Sequence, residues 1–153
     1  MANNYLQQGK YEQALKQYEK SLGIQREAGD REGEGVTLNN IATIYYEQDK
    51  PSKAVKYHAQ ALAIQRELGN RAREANSCWN IGTTYYSMGE LVKAEEYIAL
   101  SVEIAEQINH PDLENDRKTL ERVRAILKSR WRLWLYNKSR TLLNWLRAVR
   151  GVE

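Results

Sequence analysis

The chain has 153 residues, of which 28% are charged and 42% hydrophobic, a size and balance that suit one soluble domain with a buried core. The net charge of +3 is unevenly spread: through Glu121 there are 14 Lys and Arg against 19 Asp and Glu, and after it 9 basic residues against 1 acidic, so an acidic body carries a basic tail. Cys78 is the only cysteine, which excludes an internal disulfide and fits a cytoplasmic setting; the start Met-Ala-Asn-Asn-Tyr does not read as a signal peptide, and no run of about 18 apolar residues could span a bilayer.

Proline occurs only at Pro51 and Pro111, so long helices are permitted almost everywhere, and no sustained alternation signals a strand. Only about Ala2 to Gln8 stand in the place of the first helix before Gly9; either the chain is a fragment of a longer array, the favoured expectation, or its first helix is short. From there the chain matches itself at a shift of forty. Ile24-Gln25-Arg26-Glu27 returns as Ile64-Gln65-Arg66-Glu67, Asn40-Ile41-Ala42-Thr43 as Asn80-Ile81-Gly82-Thr83, and Tyr45-Tyr46 as Tyr85-Tyr86. Ala14, Ala54 and Ala94 form one column, and Leu22, Leu62 and Val102 another.

Each unit reads as two helices. Leu38, Ile41, Ala42 and Tyr45 recur at i, i+3, i+4 and i+7, a helical stripe, and Ala54, Tyr57, His58, Ala61 and Leu62 form the next. Gly9, Gly29, Gly69 and Gly89 suit helix C-termini, with Asn109 in that role at the third boundary. Asp30 and Asn70 suit N-caps, and Pro111 a first turn. Small residues at Ala42, Gly82, Ala54, Ala94 and Ala61 let neighbouring helices approach closely, so Leu at position 54 or 94 should overpack the core. The expected fold is all-α: a right-handed superhelical solenoid of antiparallel helix pairs. Its repeats fall at about 1–29, 30–69 and 70–109, a capping helix at 111–128, and a basic amphipathic helix within 129–153.

These columns resemble the tetratricopeptide repeat, in the forty-residue form of kinesin light chains and related bacterial repeat proteins. The residues that carry the likeness are Ile41-Ala42, Tyr45, Ala54 and Ala61-Leu62, then Ile81-Gly82, Tyr85, Ala94 and Ser101-Val102, over about residues 1–128. Helical repeats of the HEAT type share the period but lack the Ala/Gly columns. The resemblance implies a protein-binding scaffold or adaptor whose first helices line a concave groove. It also implies a contact set: Asn80, Lys118 and Arg122 match three positions of the clamp by which some members hold a peptide's terminal carboxylate. Asn39 and Thr43 stand where those members have Lys and Asn.

The residues themselves point to the same face. Beside the core stripe runs a second one, with Val36, Asn39, Asn40, Thr43, Tyr46 and Glu47 in one repeat and Asn76, Trp79, Asn80, Thr83, Tyr86 and Ser87 in the next. Rings supply contact area and amides bond a peptide backbone, so this face is the expected site for a protein or peptide ligand. A register shifted by two residues places Lys118 and Arg122 beside it. The competing reading is that Tyr46 and Tyr86 pack between helices. Catalysis lacks a motif: His58 falls on a core stripe, His110 in a linker, and Cys78 in a core column, so neither enzyme activity, metal nor cofactor is expected.

In the tail, Trp131, Trp134, Leu135, Leu142, Trp145, Leu146 and Val149 fall within an arc of about 120° at about 100° per residue, opposite Arg132, Arg140, Arg147 and Arg150. Something should cover such a face. Docking on the open end of the array ranks first, ahead of self-association through the helix, an anionic membrane surface and nucleic acid, for which no recognition motif is present. The expected contacts are Trp131, Trp134 and Trp145, with a break near Asn137–Ser139, and truncation after Lys128 should then lower the melting temperature. A peripheral membrane or self-association module acting through this helix is the alternative to groove binding.

Overall fold

The computed structural model describes the backbone of residues 10–150 and the side chains of residues 10–142. Among the described residues six helices follow one another: α1 Tyr11–Ala28, α2 Arg31–Glu47, α3 Pro51–Glu67, α4 Arg71–Ser87, α5 Leu91–Gln107 and α6 Leu113–Arg150. No strand occurs among the described residues. Consecutive helices pack against one another and build an all-α, right-handed solenoid.

The caps fall where the sequence places them. Asp30 accepts a hydrogen bond from the Gly33 backbone N–H at 2.9 Å, and Asn70 from that of Arg73 at 3.1 Å, which satisfies one orphan donor at each helix start. At the ends, Gly29, Gly69 and Gly89 take positive φ, and so do Asp49 (56°) and Asn109 (51°). Asp and Asn are among the few side chains that tolerate this left-handed region.

The repeating columns have separate structural duties. The Ala column is fully buried at Ala14, Ala54 and Ala94. Gly82 sits at a close helix approach: a Cβ there would lie 2.6 Å from Ile98 Cγ1 and 3.0 Å from the Ile98 backbone nitrogen. Tyr45 stacks on Tyr57 with ring centres 5.3 Å apart, and Tyr85 meets Tyr97 at 5.8 Å. In both repeats a lysine, Lys53 or Lys93, sits 5.2 Å over the first ring.

The repeated Gln-Arg-Glu linker is an ion-pair ladder. Arg26 reaches Glu34 at 2.8 Å, and Arg31 joins Glu34 to Glu67. One repeat later Arg66 reaches Glu74 at 2.9 Å, and Arg71 joins Glu74 to Gln107. Burial disfavours the charged form of Glu34, but hydrogen bonds from Arg26 and Arg31 outweigh it and hold its pKa below the usual carboxylate range. Cys78 is buried with Leu62, Ala75, Ile81 and Ile104; burial pushes its thiol up to about 11, so it behaves as a small apolar side chain.

The C-terminal region departs from the expectation of a capping helix at 111–128 followed by a separate tail helix. It is one helix of 38 residues, about 57 Å long at about 1.5 Å per residue. Its first half packs: Leu120 and Val123 are buried against Ala94, Ile98 and Val102. From Lys128 to Leu142 every side chain is exposed, with Trp131 62% and Trp134 50% accessible, so the described part of the tail does not fold back over the open end.

The sequence explains the continuity. No Gly or Pro lies between Asp112 and Arg150, so nothing stops the helix. The break expected near Asn137–Ser139 is absent because the hydroxyls there join the helix: Ser139 donates to the Tyr136 carbonyl at 2.8 Å and Thr141 to that of Asn137 at 2.9 Å. Trp131 and Trp134 meet edge to face at 5.3 Å. With Leu127 and Arg130 they face the α4–α5 turn, Gly89–Val92, across a cavity of about 600 Å³. The expected contact at Trp145 lies outside the described side chains.

Candidate functional site

Two successive first helices, α2 and α4, present the polar stripe, and α3 lies beneath it. Asn39 is the pivot. Its Nδ2 donates to Ser77 Oγ at 3.2 Å, and its Oδ1 lies 2.7 Å from His58 Nδ1. With the amide oriented in this way, Oδ1 must accept, so Nδ1 carries the imidazole proton. His58 is only 3% exposed, and burial pushes its pKa down to about 4, because the charged ring would be desolvated. The ring is therefore neutral at pH 7, and its Nε2 is an acceptor.

Above this ring lies a cavity of about 190 Å³ lined by Thr43 and Tyr46 from α2, His58 from α3, and Asn80, Thr83 and Thr84 from α4. The hydroxyl protons are already used. Thr43 donates to the Asn39 carbonyl at 3.1 Å, Thr83 to the carbonyls of Trp79 and Asn80 at 3.0 and 3.2 Å, and Thr84 to that of Asn80 at 2.6 Å. Tyr46 also borders a neighbouring cavity of about 360 Å³, with Glu47, Asp49, Pro51 and Ser87.

Of the residues expected to contact a partner, Thr43, Tyr46, Asn80 and Thr83 meet at this cavity, and Asn39 supports it from behind. Asn40 is half-buried and Asn76 exposed, both outside its lining. Tyr86 is 38% exposed beyond it. Trp79, expected to be free of core duty, packs against the cluster of Ala94, Ile98, Val102, Leu120 and Val123, because the register-shifted α6 supplies an apolar neighbour there. Lys118 and Arg122 are exposed on α6, with Lys118 paired to Glu114 at 3.4 Å; neither lines the cavity. Sequence reasoning missed His58 and Thr84 as part of this face. The signal was in the columns: His58 stands where other repeats have Tyr18 and Ile98, and Thr84 where the preceding repeat has Ile44.

Among the described residues no three His, Cys, Asp or Glu side chains group as a metal site, and no helix is long and apolar enough to cross a membrane.

Sequence models described as tetratricopeptide repeat match residues 1–67 and 75–108, together about two thirds of the chain. Comparison with curated proteins finds no match. Among solved structures, the apo form of RapI aligns with a TM-score of 0.76 at 22% identity, over 94% of this chain and 53% of that one. The kinesin light chain repeats of Podosopora anserina align at 0.66 and 21%, over 80% of this chain and 61% of theirs. The first repeat domain of Spaghetti (RPAP3), bound to the HSP90 peptide SRMEEVD, aligns at 0.63 and 20%, over 83% and 87%. The chain thus spans only about half to three fifths of the first two.

Proposed function

The chain belongs to the tetratricopeptide repeat family, and on that premise we propose that it is a non-enzymatic cytoplasmic scaffold or adaptor that holds a segment of a partner protein on the face formed by α2 and α4. The observation that carries this reading is the cavity itself. Polar and aromatic side chains from two consecutive repeats converge over a buried histidine at positions the core does not need. The repeat domain of Spaghetti, bound to an HSP90 peptide, supports the idea that a fold of this kind can hold an extended segment. A terminal-carboxylate clamp on Asn80, Lys118 and Arg122 is not part of the proposal, because Asn39 spends its amide on His58 and Ser77. Affinity purification with mass spectrometry tests the reading. The variant Tyr46→Ala/Asn80→Ala/Thr83→Ala should lose the partners that the wild type retains, and a chain ending at Lys128 should keep them. Retention by the triple variant would refute it.

A second reading rests on the exposed tail. Trp131, Trp134, Leu135 and Leu142 are each at least half accessible on a strongly basic helix, which suits self-association or an anionic membrane surface. Sedimentation of the full chain with and without anionic vesicles, compared with the truncated chain, separates the two.

A further inference from the structure

We infer that the cavity over His58 is a specificity pocket for a basic side chain, a lysine or arginine of the bound segment. This inference rests on the groove reading above and names the chemistry that the groove selects.

Around the cavity acceptors outnumber donors. Thr43, Thr83 and Thr84 each give their only hydroxyl proton to a carbonyl of their own helix, so toward the cavity they offer lone pairs alone. His58 gives its Nδ1 proton to Asn39 and keeps an Nε2 lone pair, on a ring that lines the cavity and is 97% buried by its 3% exposure. Ser87, on the rim beside Tyr46, repeats the pattern by donating to the Thr84 carbonyl at 2.8 Å. Against these acceptors the lining can supply donors only from the Asn80 amide and the Tyr46 hydroxyl. A group that must itself accept hydrogen bonds, such as a carboxylate or phosphate, would face lone pairs. An ammonium with three donors, or a guanidinium with five, has no acceptor to satisfy and meets them all.

Charge points the same way. The adjoining cavity, which shares Tyr46, carries Glu47 and Asp49, and neither forms an ion pair among the described residues, whereas Glu34, Glu67, Glu74 and Glu106 do. These two carboxylates offset the cost of partly desolvating a cation. The neutral, buried imidazole adds no repulsion at pH 7. Neither lining carries a lysine or arginine, and the adjoining one carries the two carboxylates.

A random twelve-residue peptide library selected on the full chain tests this. Selected peptides should carry Lys or Arg at one fixed position. Replacing that residue with norleucine should weaken binding at least tenfold to the wild type, but less than twofold to Thr84→Val, which keeps the shape and loses an acceptor. Thr83→Val, at a half-exposed position, provides a second variant should Thr84→Val fold poorly. If peptides that compete at Tyr46 and Asn80 show no basic preference, the pocket assignment is overturned while the groove reading stands. If no selected peptide depends on those residues, both fall.

Discussion

His58 offers the sharpest test of the site's construction. In the unfolded chain its imidazole titrates near 6.5, whereas in the fold burial holds it down to about 4. A depressed pKa contributes stability that is fully present above the unfolded value and is lost as pH falls through the window between the two. At pH 5 the unfolded chain binds a proton that the folded chain refuses. At about 1.4 kcal/mol per unit, over about 1.5 units, the native state should lose about 2 kcal/mol from this group alone between pH 7 and pH 5. Carboxylates contribute a background of their own, so the quantity to measure is a difference. Urea denaturation at both pH values, for wild type and for the non-titrating His58→Gln, should show the wild type losing about 2 kcal/mol more than the variant. Proton NMR, with His58 assigned by its disappearance in the variant, should place the folded midpoint near 4. Coincident pH slopes together with a midpoint near 6.5 would mean that the ring is solvated rather than buried, and its place as the buried acceptor under the cavity would fall.

Three further outcomes are expected. Gly82→Ala should destabilise by about 1–3 kcal/mol in urea denaturation, because the added Cβ meets both the side chain and the backbone of Ile98 and the backbone cannot step aside. Glu34→Gln should cost about 1–3 kcal/mol at pH 7 through weakened charge-assisted bonds to Arg26 and Arg31; with its pKa depressed, that advantage should fade as pH drops below about 4.3. Truncation after Lys128 should change stability by less than about 1 kcal/mol, the reverse of the sequence expectation, because the side chains from Lys128 to Leu142 are all exposed; a large fall in melting temperature would show that the tail packs on the repeats after all.

The repeat was legible because its signals are local and redundant. A column of Ala14, Ala54 and Ala94 has one physical cause, close helix contact, and the caps at Asp30 and Asn70 need only their own turn to act. The candidate face was legible in part for the same reason: Thr43, Tyr46, Asn80 and Thr83 fall on one side of two equivalent helices at any register that buries Ile41 and Ile81. What periodicity could not show is which of those residues the next helix takes away. Trp79 looked free because its own helix gives it no core duty, and it became core only when α6 packed beside it, a contact between segments forty residues apart. His58 was invisible for the opposite reason. It sits in a core column, and only the depth of the gap between α2 and α4 turns a buried ring into the floor of a cavity.

The tail shows where a burial argument fails. Apolar area is costly to leave in water, and that consideration favoured a lid over the open end. Covering the end, however, requires the chain to reverse direction, and reversal requires a turn. Between Lys128 and Trp131 the sequence offers Lys, Ser, Arg and Trp, with no glycine to adopt a left-handed conformation and no proline to end the helix. A continuing helix keeps every backbone hydrogen bond and needs no turn, so local chemistry prevails over the apolar face within one chain. The exposed side of Trp131, Trp134, Leu135 and Leu142 follows from that competition. Among the described residues that side stays at least half accessible, so its cost is offset only by a surface that the described repeats leave unsupplied.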